Sequence, residues 1–369
     1  MPQATKVGKN KGEWSELYVL FKLLGEGKLY GADKKLQKIQ TMFYVIQKIF
    51  RDEILSRKYV QRVYSREEHE VIIRYNHKEI KLPISDFAKA AEDLKKDITQ
   101  PPTPGRTFDS PETRRFMERI DCYTIKAKSA NKKDILIEVY DAKIQDAVKL
   151  GFSIKSSLGG RSSLFNAGKA KSFRYRFKPK KNARQPSKEE LKQINTPRNL
   201  VDRINAMKQY GYTVEYKDVP NRNFKLNLQM FDAQMPLIIG TALLASYTEG
   251  QHKISKLIKY LQEIDPCNFG ATEHPIYAYK IKNFLTDVAL GMTAATVWNG
   301  QYDATGGIII VDKDAELVCF HVYNRNALQD YLVERSSIDT PDIGRLNTGL
   351  VFKENREWFI DLSLNIRMS

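Results

Sequence analysis

The chain has 369 residues, with 60 Lys and Arg against 44 Asp and Glu, a formal net charge of +16 and a sequence pI near 9.4. A hydrophobic share of 42% excludes a wholly disordered chain. Three scattered cysteines (Cys122, Cys267, Cys319) exclude a disulfide framework and point to a reducing compartment.

In chain order, residues 1–11 read as a basic tail with no apolar segment, so no secretory signal is expected. A helix is predicted over 13–24, ended by Gly25 and Gly27. Strands are predicted at 40–50, 71–75 and 79–83, then a helix at 85–98. Residues 99–111 form a Pro-rich loop. Ser110 and Pro111 open a helix to about 120. Strands follow at 134–140, 151–156 and 172–177. Ser187 and Glu190 make a capping box. Residues 232–295 are predicted mostly helical. Within them, 235–246 are the most apolar, but they reach only about half the length of a membrane span. Pro236 and Gly240 interrupt them, so a buried helix is expected and no membrane partner. Strands at 306–312 and 316–323, a helix at 326–336 and a hairpin around 353–355 finish the chain. This mixture gives an α/β or α+β class, and the length suggests about two domain-sized units.

The charge is concentrated. Residues 147–188 contain no Asp or Glu and twelve Lys or Arg. A basic stretch of this kind suits a polyanion, and nucleic acid is favoured. Inside it, Phe173-Arg174-Tyr175-Arg176-Phe177 alternates aromatic and basic, which puts rings on one strand face and guanidinium groups on the other. Those arginines, with Lys169 and Lys171, are candidates for contacts to DNA phosphates. The plain alternative is a half-buried strand with a basic outer face.

Few residues suggest chemistry. The five histidines lack metal-ligand spacing, no Walker loop is present, and residues 25–31 miss GxGxxG by one position after a helix. What remains is Asp134 at the head of an apolar strand and Ser153-Ile154-Lys155 on the next one. Two readings fit: an Asp–Lys ion pair, or metal-dependent phosphodiester hydrolysis. In the second, a carboxylate holds Mg²⁺ and a lysine orients water and offsets phosphate charge.

Asp134 with Ser153-Ile154-Lys155 resembles the PD-(D/E)XK nuclease motif, with Ser153 where Asp or Glu usually stands. Several segments are similar to the HpaII family of type II restriction endonucleases. They are Lys11-Gly12-Glu13-Trp14-Ser15-Glu16-Leu17-Tyr18, Gly27-Lys28-Leu29-Tyr30-Gly31-Ala32-Asp33, Gly151-Phe152-Ser153-Ile154-Lys155-Ser156, Leu158-Gly159 and Asn166-Ala167-Gly168-Lys169. Near the C-terminus, Tyr323-Asn324-Arg325-Asn326 and Leu362-Ser363-Leu364-Asn365-Ile366-Arg367 continue the likeness.

The resemblance implies a PD-(D/E)XK core, a central mixed sheet flanked by helices, with further helical and β elements. It implies Mg²⁺-dependent cleavage of double-stranded DNA at CCGG or a related short GC-rich palindrome, leaving 5′-phosphates. Asp134, the Ile154 carbonyl and Glu16 are the implied metal ligands. Glu138 is the rival second carboxylate, Lys155 the catalytic lysine and Ser153 a member of the site. One metal or two remains open. Base readers would come from Arg161, Arg325 and Arg345, with Asn166, Asn326 and Asn347. A homodimer, a cognate DNA methyltransferase and the bacterial cytoplasm complete the expectation. The parts expected are the tail (1–11), an N-terminal part with the first core helix (12–98), the Pro-rich loop (99–111), the catalytic core (112–230) and a C-terminal part for DNA recognition (231–369). Two alternatives stand beside it: a structure-specific repair nuclease of the same fold, and a non-catalytic DNA-binding protein with a decayed core.

Overall fold

The computed structural model describes residues 8–55, 58–103, 105, 107–125, 132–141, 145–197, 199–270, 273–341, 343–346 and 348–369. The chain begins with β1 (Lys9–Asn10), α1 (Lys11–Glu26), β2 (Lys28–Ala32), β3 (Lys38–Leu55), β4 (Lys58–Arg66), β5 (Glu70–Tyr75), β6 (Lys78–Pro83) and α2 (Ile84–Thr99). Next come β7 (Thr107–Phe108), α3 (Pro111–Arg119), β8 (Ile135–Asp141), β9 (Asp146–Ser156), β10 (Ser162–Phe165), β11 (Ser172–Pro179), α4 (Lys188–Asn195), α5 (Leu200–Gln209) and β12 (Tyr212–Asp218). The rest is α6 (Arg222–Phe231), α7 (Met235–Thr248), α8 (Ile254–Ile264), α9 (Ile276–Leu290), β13 (Gly307–Val311), β14 (Leu317–His321) and α10 (Arg325–Arg335). It ends with β15 (Ser336–Ile338), α11 (Ile343–Leu346), β16 (Val351–Glu354), β17 (Glu357–Ser363) and β18 (Ile366–Met368). The α/β class expected from the sequence is what the chain adopts.

Two compact units emerge. The first comprises Met1–Ser162, Ala289–Gly291 and Tyr302–Tyr331; the second comprises Ser163–Val288, Met292–Gln301 and Leu332–Ser369.

In the first unit, nine strands form one mixed sheet in the order β2-β14-β13-β9-β8-β3-β4-β5-β6. The β9–β13 and β14–β2 pairs are parallel, while β8–β9 is antiparallel. Helix α1 starts on a capping box: Asn10 Oδ1 accepts the Glu13 N–H at 3.0 Å, and Glu13 Oε2 accepts the Asn10 N–H at 3.0 Å. It ends at Gly27, which takes φ 73°, a left-handed conformation that suits glycine. Trp14, Leu17, Tyr18, Phe21 and Leu24 of α1 share one core with Ile137, Val139, Phe152, Ile154 and Ile309 of the sheet. Phe116 of α3 meets Phe21 and Phe87 edge-on at 5.1 Å each. Alternation of apolar and polar residues along β8 and β9 therefore sends one set of side chains to the helices and the other to the opposite face.

Strand β3 runs five residues past the predicted end at Phe50. The added turn of sequence, Arg-Asp-Glu-Ile-Leu, looks too charged for a strand. Its charges are instead paired inside: Glu53 accepts from Arg51 at 3.1 Å and from Arg62 at 2.6 Å, with all three side chains buried. Strands β2, β4, β10 and β12 were likewise not anticipated.

The second unit holds the antiparallel sheet β12-β11-β17-β16 and the small sheet β10-β18-β15. The predicted C-terminal hairpin is β16–β17, turning at Asn355 and Arg356 with φ of 48° and 68°, the pattern of a type I′ turn. The predicted 232–295 helical stretch is α7, α8 and α9 with loops between them. Helix α7 buries residues on every side, which explains its apolar composition. Among the described residues, no single helix is long and apolar enough to cross a membrane.

Candidate active site

Asp134 stands one residue before β8, and its N–H donates to the Phe152 carbonyl at 2.8 Å. This joins it to β9 where β8 begins. Its Oδ2 accepts the Ile154 N–H at 2.7 Å and the Ser153 hydroxyl at 3.1 Å. The Lys155 ammonium donates to Ser153 Oγ at 2.9 Å. Lysine, serine and aspartate thus form one hydrogen-bonded chain. Ser153 is 1% exposed, and a buried hydroxyl is costly unless bonded; here it accepts from one neighbour and donates to the other. The even residues of β9 turn their N–H and C=O toward β8. Beyond the start of β8, the Ile154 carbonyl therefore lies on the same strand edge as the Asp134 carboxylate.

That edge suits a hard cation. Among the described residues, Asp134 Oδ1 takes no hydrogen bond, and the Ile154 carbonyl adds a second oxygen of the kind Mg²⁺ prefers. No group of three or more His, Cys, Asp or Glu gathers for a metal among the described residues.

The other carboxylates separate. Glu13 is engaged in the α1 cap. Glu16 is half-buried one residue after Ser15, whose hydroxyl is hydrogen-bonded to that of Ser156 at 2.8 Å. This contact brings that turn of α1 to the end of β9 beside Lys155. Glu138 shares the sheet face of Asp134 but lies about 13 Å along the strand, and it is paired with Lys48 at 2.6 Å. The strand rise carries Glu138 away from Asp134, and Lys48 already neutralises it.

The basic residues also divide. Arg174 pairs with Asp361 at 2.9 Å and Glu354 at 2.7 Å; Arg176 pairs with Glu215 at 2.5 Å and Glu357 at 3.0 Å. The aromatics of that strand, Phe173, Tyr175 and Phe177, are buried as the alternation implied. The arginines do not form a free row for phosphates, because β12, β16 and β17 bring carboxylates across from distant sequence. Hydrogen bonding to Asp361 raises the Arg174 pKa further, fixing it as a cation. Lys171 donates to the Asn166 carbonyl and covers the Phe165 ring at 4.2 Å, and burial lowers its pKa. Arg161, Asn166, Lys169, Arg325 and Asn326 are exposed. Arg345 lies in α11 with its side chain outside the described atoms, and Asn347 lies outside the described residues.

Sequence reasoning missed the brace behind the two strands. The Lys132 N–H donates to Asp303 Oδ2 at 3.0 Å, and the Gly151 N–H donates to Thr305 Oγ1 at 3.1 Å. The Gly306 N–H returns a bond to the Gly151 carbonyl at 2.7 Å. Gly151 is required there, because a Cβ would lie 2.6 Å from the Asp303 carbonyl. Each strand is held two residues before Asp134 or Ser153. In sequence, Asp303-Ala304-Thr305-Gly306 reads only as a turn.

The family model of the HpaII restriction endonuclease matches residues 10–368. The type II restriction enzyme HpaII of Haemophilus parainfluenzae is 33% identical over 359 residues, covering 97% of this chain and 98% of that protein. No solved structure matches the chain. With collinearity from the first helix to the last strand, the chain belongs to the HpaII family of type II restriction endonucleases, site-specific deoxyribonucleases that act on double-stranded DNA.

Proposed function

We propose that Asp134, Ser153, Ile154 and Lys155 form a PD-(D/E)XK-type centre for Mg²⁺-dependent hydrolysis of DNA phosphodiester bonds. The observation that carries this reading is the hydrogen-bonded chain from Lys155 through Ser153 to Asp134. Asp134 and the Ile154 carbonyl would hold the cation, with Glu16 as the further carboxylate, and the cation would polarise a phosphate oxygen and acidify water. Lys155, steered by Ser153, orients the attacking water and offsets charge growing on the phosphate. Ser153 adds no negative charge, so the donor set suits one metal better than two. In-line attack by water leaves a 5′-phosphate and a 3′-hydroxyl.

The target is CCGG or a related short GC-rich palindrome, a reading supported by the full-length likeness to HpaII. Exposed Lys169 contacts the backbone, and Arg161, Asn166, Arg325 and Asn326 are the candidate base or backbone contacts. A palindrome favours a two-fold homodimer, and a cognate methyltransferase protects the host DNA in a bacterial cytoplasm. Digestion of a plasmid of known sequence with Mg²⁺, followed by end sequencing, tests this. One short sequence at every cut, abolished by EDTA, is the expected result. Cuts at junctions or ends, or DNA binding without any cleavage, would overturn it.

A further inference from the structure

The segment Met292–Gln301 of the second unit contains no helix, no strand and no charged residue, yet its shape is fixed. Asn227 of α6, 2% exposed, donates from Nδ2 to the Thr293 carbonyl at 2.7 Å and the Thr296 carbonyl at 2.9 Å. Its Oδ1 accepts the Trp298 N–H at 3.1 Å. Asn223 donates to the Ala295 carbonyl at 3.1 Å, and the Trp298 ring rests on Phe231 at 5.2 Å. One buried amide therefore satisfies three backbone groups of an irregular loop, an arrangement that pre-pays the entropy of ordering it.

What the loop turns outward is specific. Val297 is 78% exposed at its tip. Asn299 and Gln301 are exposed and bonded to each other: Asn299 Nδ2 donates to Gln301 Oε1 at 3.1 Å, and the Gln301 N–H donates to Asn299 Oδ1 at 3.0 Å. The pair fixes the Gln301 side chain and leaves its amide hydrogens facing outward among the described residues. A lone exposed valine needs no explanation. A rigid, uncharged loop that offers an apolar tip beside an oriented amide does.

We infer that this loop reads base edges in a groove of the DNA substrate. The loop lacks the cations that dominate phosphate contact, and the Gln301 amide hydrogens suit an acceptor on a base edge, such as guanine O6 or N7. Chain order adds a consequence. Two residues after Gln301 comes Asp303, the first member of the brace that holds Lys132 and Gly151. Base reading and the strands bearing Asp134 and Ser153 are thus joined by one short stretch of chain. The inference rests on the chain being a sequence-specific endonuclease and is independent of which residues cleave.

The test uses the full-length protein and two duplexes: one with the site found by end sequencing, one with a single base pair changed. Binding is measured in EDTA by fluorescence anisotropy for wild type, Gln301→Ala, Asn299→Ala and Val297→Ala, with thermal melts to establish folding. Gln301→Ala should lower the preference for the correct site by about tenfold, the low end of what a mismatched base pair costs. An unchanged preference in all three folded variants overturns the inference, as does a change confined to oligomeric state. If wild type itself cuts at no defined sequence, the functional reading above fails instead.

Discussion

In the proposed centre Ser153 is the residue that departs from the usual motif, and its geometry gives the departure a meaning. A hydroxyl at this position accepts from Lys155 and donates to Asp134, so it orients both groups while adding no charge. Losing such an orienting partner typically costs about 10- to 100-fold. Ser153→Ala should therefore slow single-turnover cleavage by about that factor with DNA affinity kept; an unchanged rate would reduce the hydroxyl to packing. The carboxylates give a second expectation. Glu16→Gln should slow cleavage, whereas Glu138→Gln should leave the rate near wild type, because Glu138 is engaged by Lys48. The reverse outcome in the same assay would exchange their roles. Asp134 and Lys155 could be singled out in the sequence because polar residues among apolar ones on adjacent strands are unusual. The Asp303–Thr305 brace could not, since it joins backbone N–H groups to side chains of a turn 171 and 154 residues away in the chain.

At the level of elements, two strands show why charge is hard to read locally. In β11 the alternation was legible and its aromatic face is buried, but the carboxylates facing Arg174 and Arg176 lie on β12, β16 and β17. Arg174→Ala should lower stability by about 0.2–1 kcal/mol per exposed pair and leave the salt dependence of DNA binding unchanged. Lys169→Ala should reduce the slope of log affinity against log salt by about one. Salt titrations of both variants check this, and a reduced slope for Arg174→Ala would restore it as a phosphate contact. In β3 the charges hid the strand itself. Arg51 and Glu53 face inward, where Glu53 also accepts from the Cys122 thiol at 3.0 Å. Burial pushes that thiol up to about 12. Removing Glu53 leaves Arg51 and Arg62 buried without their carboxylate, so Glu53→Ala should cost about 3–5 kcal/mol, readable by urea unfolding. A loss under 1 kcal/mol would mean that the cluster relaxes to solvent.

Across the whole molecule, the net charge of +16 pointed to a polyanion, and membership of a DNA-cleaving family gives it one. The acid-free stretch 147–188 is more finely divided than its composition suggested. It supplies Lys155 to the proposed centre, arginines to ion pairs within the second unit, and exposed residues such as Lys169, the proposed backbone contact. Periodicity revealed the helices and the strands around the centre, because their apolar faces are uninterrupted. Length suggested about two units, but no local pattern showed that residues 289–291 and 302–331 return to the first of them.

The central claim is that Asp134 and Lys155 perform the hydrolysis. Single-turnover cleavage of a site-containing duplex, with binding measured in parallel, tests it for Asp134→Ala and Lys155→Ala. The account predicts binding retained and cleavage abolished in both variants; cleavage at the wild-type rate in either would contradict it.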